Sequence, residues 1–191
     1  MASKLLLAID GGRTSPGFCE VDLEAPTWPK AFKSAGLVHP GGQYWAAAAE
    51  GHWVDPKKPR ATYISMCFAA GFLLGRTAAE HYLYVPPSDW RDALYLHGGA
   101  AGKEAIQARV LRDLVEPYGY QAYLPKAKGP RGDVLDAIGL AAGLWHMHQL
   151  GKDIVRAFPY EGAGIDGCKR PSQALIKAGR ARKGKPRARR S

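Results

Sequence analysis

Apolar residues crowd "KLLLAID", residues 4–10, into one unbroken run that ends in an acid and meets "GGRTSPG". Such a run, closed by Gly and Pro, predicts a buried strand that exits into a tight turn with Asp10 at its carboxyl end. "GFCEVDL" at 17–23 alternates apolar and polar positions, the period of a half-buried strand. After the Pro-rich "EAPTWP", "AFKSAGLVH" at 31–39 predicts a third strand returning beside the second, so that the three form a meander.

The next segment, "GGQYWAAAAEGHW", supports two readings. Four alanines favour a helix by propensity, whereas small and aromatic residues between Gly turns permit a buried strand. As a strand it carries Glu50 to the same sheet end as Asp10. As a helix over 43–52 it makes "ATYISMCF" the next strand and removes Glu50 from that end. Only about ten residues separate the third strand from Glu50, while a parallel crossover usually takes a dozen or more, so a strand or a helix is shortened here. Further on, the pattern predicts a helix over 63–80, with Gly71 and Gly75 one turn apart, and a strand in "HYLYVPPSDWR" that ends at a Pro turn. It then predicts an amphipathic helix over 101–119 with Ile106, Val110, Leu111 and Leu114 on its apolar face, a short strand in "YQAYLP", and a closing helix over 131–148. No internal repeat occurs. Three strands followed by alternating helices and strands form an α/β pattern of ribonuclease H-like type: a mixed five-stranded sheet flanked by helices over 1–153, with 154–191 as an extension.

Composition narrows the class. A chain of 191 residues suits one domain with a proper core. Its apolar runs fall far below the roughly 18 residues that span a bilayer, and its start runs into a Gly-rich turn without a cleavable signal pattern; a soluble, cytoplasmic protein is expected, with no membrane partner. Cys19, Cys67 and Cys168 are scattered and unpaired in sequence, which fits reduced thiols, and the histidines offer no HxxxH pair for zinc. The net charge of +10 is concentrated at the end of the chain, because residues 169–191 hold ten Lys or Arg and no acid. That arm, with Arg180, Arg182 and Lys183 at its centre, is expected to be disordered and to hold phosphate backbones without sequence preference.

The acids carry the candidate chemistry. In "RGDVLDAIGLAAGLWHMH", Asp133 and Asp136 lie three apart at the front of an apolar helix, so both side chains reach one point. Helix capping explains such a pair, and so does a cation between them. Strand carboxyl ends are where open α/β sheets place their sites, which brings in Asp10 and, on the strand reading, Glu50.

"AIDGG", "TSPGF", "AEGHW", "VPPSDWR", "GKEAIQARV" and "GDVLDAIGLA", in this order, resemble the RuvC family of Holliday junction resolvases, particularly its shorter phage-type members. The resemblance covers most of residues 4–150. It implies a Mg²⁺-dependent, structure-selective endonuclease that works as a homodimer on four-way DNA junctions, nicking two strands to leave 5′-phosphate and 3′-hydroxyl ends. It implies two Mg²⁺ ions per site, replaceable by Mn²⁺, held by Asp10, Glu50, Asp133 and Asp136; hard dications take carboxylate oxygens, and two about 4 Å apart clamp the attacking and leaving oxygens of a phosphodiester. Lys103 matches the lysine at the start of the family's penultimate helix, within reach of a scissile or neighbouring phosphate, and Trp53 an aromatic that can wedge against bases at the junction centre. Lys57, Lys58 and Arg60 in the same loop are further candidates for phosphate contact. Helix 63–80 is the candidate dimer interface. Two other readings stay open: a related ribonuclease H-like nuclease acting on branched DNA or RNA:DNA hybrids, and a non-catalytic nucleic-acid-binding module that uses the basic arm. A sugar-kinase or actin-like ATPase shares the "IDGG" opening, but the chain is too short for two lobes.

Overall fold

The computed structural model describes residues 3–11, 15–51, 60–95 and 102–160, apart from the side chains of 60–64 and 66. Strand β1 (Leu5–Asp10) pairs antiparallel with β2 (Gly17–Asp22), and β2 antiparallel with β3 (Phe32–Gly36), which follows the one-turn helix α1 (Trp28–Ala31). Strand β4 (Gln43–Glu50) pairs parallel with the other side of β1 and is followed by α2 (Arg60–Gly75) and by β5 (Ala78–Val85), parallel to β4. The resulting order β3-β2-β1-β4-β5 is the mixed five-stranded sheet that the element order predicts. Helices α3 (Pro87–Ala93), α4 (Lys103–Val110), α5 (Lys128–Gln149) and α6 (Ile154–Ala157) complete the described chain. None of these helices is long and apolar enough to cross a membrane.

Two apolar clusters, one on each sheet face, explain the sequence of β1. Leu6 and Ala8 join the cluster that α5 covers, and Leu7 and Ile9 join the one beneath α2, so every residue between Leu6 and Ile9 must be apolar. The alanines of β4 split the same way, Ala46 and Ala48 toward α5 and Ala47 and Ala49 toward the other face. Their helix propensity is overridden because the segment pairs with β1 and β5 and is buried on both faces between the helical layers. This decides the open reading of residues 43–50 in favour of the strand.

The connection from β3 to β4 is correspondingly brief. Residues 37–42 pass from one sheet edge to the far side of β1 with no helix, and β3 is only five residues long. Gly41 and Gly42 turn this strap with φ of 71° and 107°, values that side-chain-bearing residues seldom adopt. His39 secures it, ring edge against Phe18 at 5.3 Å and Nε2 2.9 Å from Thr77 Oγ1.

Three elements depart from the sequence pattern. The expected helix 63–80 ends at Gly75, and strand pairing begins at Ala78, because β4 offers a free parallel edge and the Thr77 hydroxyl donates to the Leu73 carbonyl at the helix end. The expected helix 101–119 is α4 followed by a π-helical turn at Leu111–Val115 and a 3-10 turn at Glu116–Tyr118, closed by Gly119 in the left-handed region. The wider turn spaces the buried stripe as Ile106, Val110 and Val115. "YQAYLP" is a 3-10 turn rather than a strand, since three-residue spacing lets Tyr120 stack on Phe32 at 4.0 Å and Tyr123 meet the same ring edge-on at 5.2 Å.

One contact sets how α5 lies. A Cβ added to Gly17 would fall 2.1 Å from the carbonyl oxygen of Asp133, so the helix backbone rests directly on the start of β2, opposite Asp10. Replacing Gly17 by Ala is expected to lower stability by about 2 kcal/mol or more, as overpacking does, whereas Gly36→Ala, with open space at its Cβ, changes stability little. Thermal denaturation of both variants checks the contrast.

Candidate active site

Strand parity brings the first two acids together. Asp10 has the parity of Leu6 and Ala8, and Glu50 that of Ala46 and Ala48, so both face α5; they stand one residue beyond the paired Ile9 and Ala49 on adjacent parallel strands. A one-residue slip of either strand would turn its acid to the α2 side. Gly17 holds α5 close enough for Asp133 and Asp136, three residues apart in its first turns, to join them. Asp10, Glu50 and Asp136 are 4%, 7% and 2% exposed. The structure therefore gathers all four sequence-selected carboxylates from three elements at one sheet end.

Each of the three acids beyond Asp10 has one oxygen held by a neighbour. Asp136 Oδ2 receives Lys103 Nζ at 2.7 Å and Gln107 Nε2 at 2.9 Å, and the same Gln107 nitrogen lies 3.1 Å from the Gly132 carbonyl. Lys103 and Gln107, one turn apart on α4, thus face the cluster together, with Lys103 Nζ also 4.0 Å from Asp133 Oδ1. Asp133 Oδ2 accepts from the Ser15 hydroxyl at 3.1 Å. Glu50 Oε1 accepts from the Trp90 indole at 3.1 Å and from Arg91 Nη2 at 3.4 Å, both on α3. Two buried oxygens, Asp10 Oδ2 and Asp136 Oδ1, have no hydrogen-bond partner.

That arrangement is electrostatically costly. Burial, with Glu50 and Asp136 nearby, pushes the Asp10 carboxyl up to about 8, against a pull downward from Lys103. Burial also raises Glu50, aided by Asp136 and opposed by Arg91 and Trp90, and raises Asp136 against Lys103 and Gln107. For Lys103, burial lowers the ammonium but attraction to Asp136 outweighs it and holds the group above its ordinary value.

A hard dication suits this donor set: the groups are carboxylate oxygens, two are buried without partners, and the local charge excess is negative. Among the described residues no group of three or more His, Cys, Asp or Glu side chains stands in a geometry that holds a metal ion as it is. Lys103 lies against Asp136 as its counter-ion.

The motifs that select the four acids and Lys103 leave four neighbours unassigned: Ser15, Trp90, Arg91 and Gln107. "TSPGF" and "VPPSDWR" contain three of them, but nothing in a string says that Trp90 turns toward Glu50; Gln107 is signalled only by its one-turn spacing from Lys103. Trp53, Lys57, Lys58, Arg180, Arg182 and Lys183 lie outside the described residues, and Arg60 opens α2 with its side chain undescribed.

No family profile matches the chain, and no curated protein matches its sequence. Among solved structures the chain is similar to Thermus thermophilus RuvC, with 19% identity over 77% of this chain and 96% of that one and a TM-score of 0.45. It is also similar to T. thermophilus RuvC in complex with Holliday junction substrate, at 16% identity, the same coverages of 77% and 96%, and a TM-score of 0.42.

The raised Asp10 carboxyl fixes the sign of a pH effect. Because the folded state retains a proton that the unfolded chain releases near its ordinary value of 3.8, metal-free stability falls as pH rises from about 4 to about 8. Asp10→Asn, a neutral isostere, is expected to flatten that slope and to melt higher than the wild type at pH 8 in chelator, by roughly 4 °C or more. Melting curves across this pH range provide the check.

Proposed function

We propose that this chain is a divalent-metal-dependent, structure-selective endonuclease of RuvC type that resolves four-way DNA junctions in the cytoplasm by paired nicking. The observation that supports the reading is that Asp10, Glu50, Asp133 and Asp136 lie at one sheet end, with a bare buried oxygen on Asp10 and another on Asp136. Asp10 and Asp136, with Glu50 and Asp133 beside them, would hold two Mg²⁺ ions or Mn²⁺ in their place. Held there, the metals would supply Lewis-acid chemistry: activation of water for in-line attack on the phosphodiester and charge stabilisation at the leaving 3′ oxygen.

The protein's own groups do the remaining work. Ser15, Gln107, Trp90 and Arg91 orient Asp133, Asp136 and Glu50 by donating to one oxygen of each, and the second oxygen of Asp136 stays without a partner. Lys103, more than half exposed at the tip of α4 while reaching Asp136, is placed to exchange that carboxylate for a substrate phosphate. Trp53 stacking on an unpaired base, with Lys57, Lys58, Arg60 and the arm around Arg180, Arg182 and Lys183 on phosphates, completes the DNA contacts in this reading.

Paired nicking calls for two sites, and α2 supports a homodimer. Phe68 and Phe72, one turn apart, are 73% and 52% exposed and lie stacked with centroids 6.4 Å apart, an apolar ridge on the outer side of the helix. The ridge falls within the helix that the sequence selects as the interface.

An end-labelled four-way junction beside a matched linear duplex tests the activity. Symmetric nicking of the junction alone is expected with Mg²⁺, with product ends carrying 5′-phosphate, and Asp136→Asn is expected to reduce it on the order of a hundredfold or more. A junction that is bound but uncut with either Mg²⁺ or Mn²⁺ favours the non-catalytic module, and equal cutting of RNA:DNA hybrids favours the broader nuclease. In sedimentation, the double substitution Phe68→Asp and Phe72→Asp is expected to turn a dimer into a monomer; a wild type that sediments as a monomer refutes the interface.

A further inference from the structure

Trp90 stands apart from the other tryptophans whose indole partners the structure gives. Trp28 donates to the Leu114 carbonyl at 3.1 Å and Trp145 to the Ala25 carbonyl at 3.0 Å, the usual backbone satisfaction of a buried indole N–H. Trp90, fully buried, donates instead to a carboxylate, Glu50 Oε1. Its position is set from behind by α5. A Cβ on Gly139 would lie 2.6 Å from Trp90 Cζ3, and a Cβ on Gly143 would lie 2.8 Å from the Trp90 carbonyl oxygen and 2.9 Å from its Cβ. The two glycines, one turn apart, make a notch in the helix that carries Asp133 and Asp136, and the indole fills it.

We propose that Trp90 is a positioning residue for Glu50: seated in the Gly139–Gly143 notch, its indole N–H fixes the Glu50 carboxylate relative to the acids of α5, so that the four carboxylates can take a divalent cation. This rests on the metal-dependent reading above. The choice of donor is what makes it effective. Arg91 also reaches Glu50 Oε1 but brings a positive charge that competes with a dication, whereas the neutral indole orients the oxygen and leaves its charge in place. Trp90 also ties two distant parts of the site, since its ring rests on α5 while its N–H holds the end of β4.

Mg²⁺ binding by the full chain, measured by calorimetry, is expected to weaken about tenfold in Trp90→Phe, which keeps an aromatic ring and loses the donor. Trp145→Phe, whose indole serves only a backbone carbonyl, is expected to bind Mg²⁺ as the wild type does. In ¹⁵N-labelled protein the indole N–H resonance that vanishes in Trp90→Phe is expected to shift on Mg²⁺ addition, and Glu50→Gln is expected to abolish the shift. Should Trp90→Phe fail to fold, Gly139→Ala carries the test: it crowds the ring while leaving the N–H, and is expected to weaken Mg²⁺ binding similarly. Equal Mg²⁺ affinity in the wild type and the Trp90 or Gly139 variant overturns the positioning role alone. A wild type that binds no Mg²⁺ removes the metal reading and this proposal with it.

Discussion

The close approach of α5 to the sheet at Gly17 is the contact on which the rest depends. With no side chain at that position, the helix backbone at Asp133 sits against the first residue of β2, whose partner across the sheet is Asp10. Any larger residue would lift the first turns of α5 away, separating Asp133 and Asp136 from the two strand-end acids. The same helix lies over β1 and β2 through Val134, Ala137, Ile138 and Ala141, so its apolar side builds the main cluster while its first turns face the acids. Core packing and site geometry therefore cannot be varied independently in this fold.

Four carboxylates at one sheet end work against folding, and the structure meets this in two ways. Cationic Lys103 and Arg91 reduce the like-charge repulsion, and neutral donors from Ser15, Gln107 and Trp90 fix orientation without cancelling charge. What remains uncompensated is Asp10, held up to about 8, and the bare oxygens of Asp10 and Asp136. Native proteins keep few such atoms, and those that persist mark places where stability is given up for a site.

Much of this was legible in the string of residues. The unbroken apolar run of β1 reported a buried strand and put Asp10 at its end, and the helical period after Asp133 reported α5. The alanine run of β4 was not decisive, because propensity describes an isolated segment whereas the strand forms through pairing with β1 and β5 and burial on both faces. "YQAYLP" carries strand-like composition, yet Phe32, distant in sequence, draws its tyrosines to a three-residue spacing. The donors around the acids escaped for a related reason: Trp90 meets Glu50 across 40 residues, and Ser15 meets Asp133 across 118, so no local pattern records either contact.

The strap between β3 and β4 carries a consequence of a different kind. Lacking a helix, residues 37–42 have no internal ladder, and the peptide of Gly41 is satisfied by side chains: its N–H donates to His39 Nδ1, and its carbonyl accepts from the Tyr44 hydroxyl. Since Nδ1 is an acceptor, Nε2 carries the ring hydrogen and gives it to Thr77 Oγ1, whose own hydrogen goes to the Leu73 carbonyl. Every donor in this sequence points the same way, from the crossover to the last turn of α2. One imidazole tautomer is thereby selected, and a polar thread takes the place of the missing helix in tying the crossover to the sheet's second face.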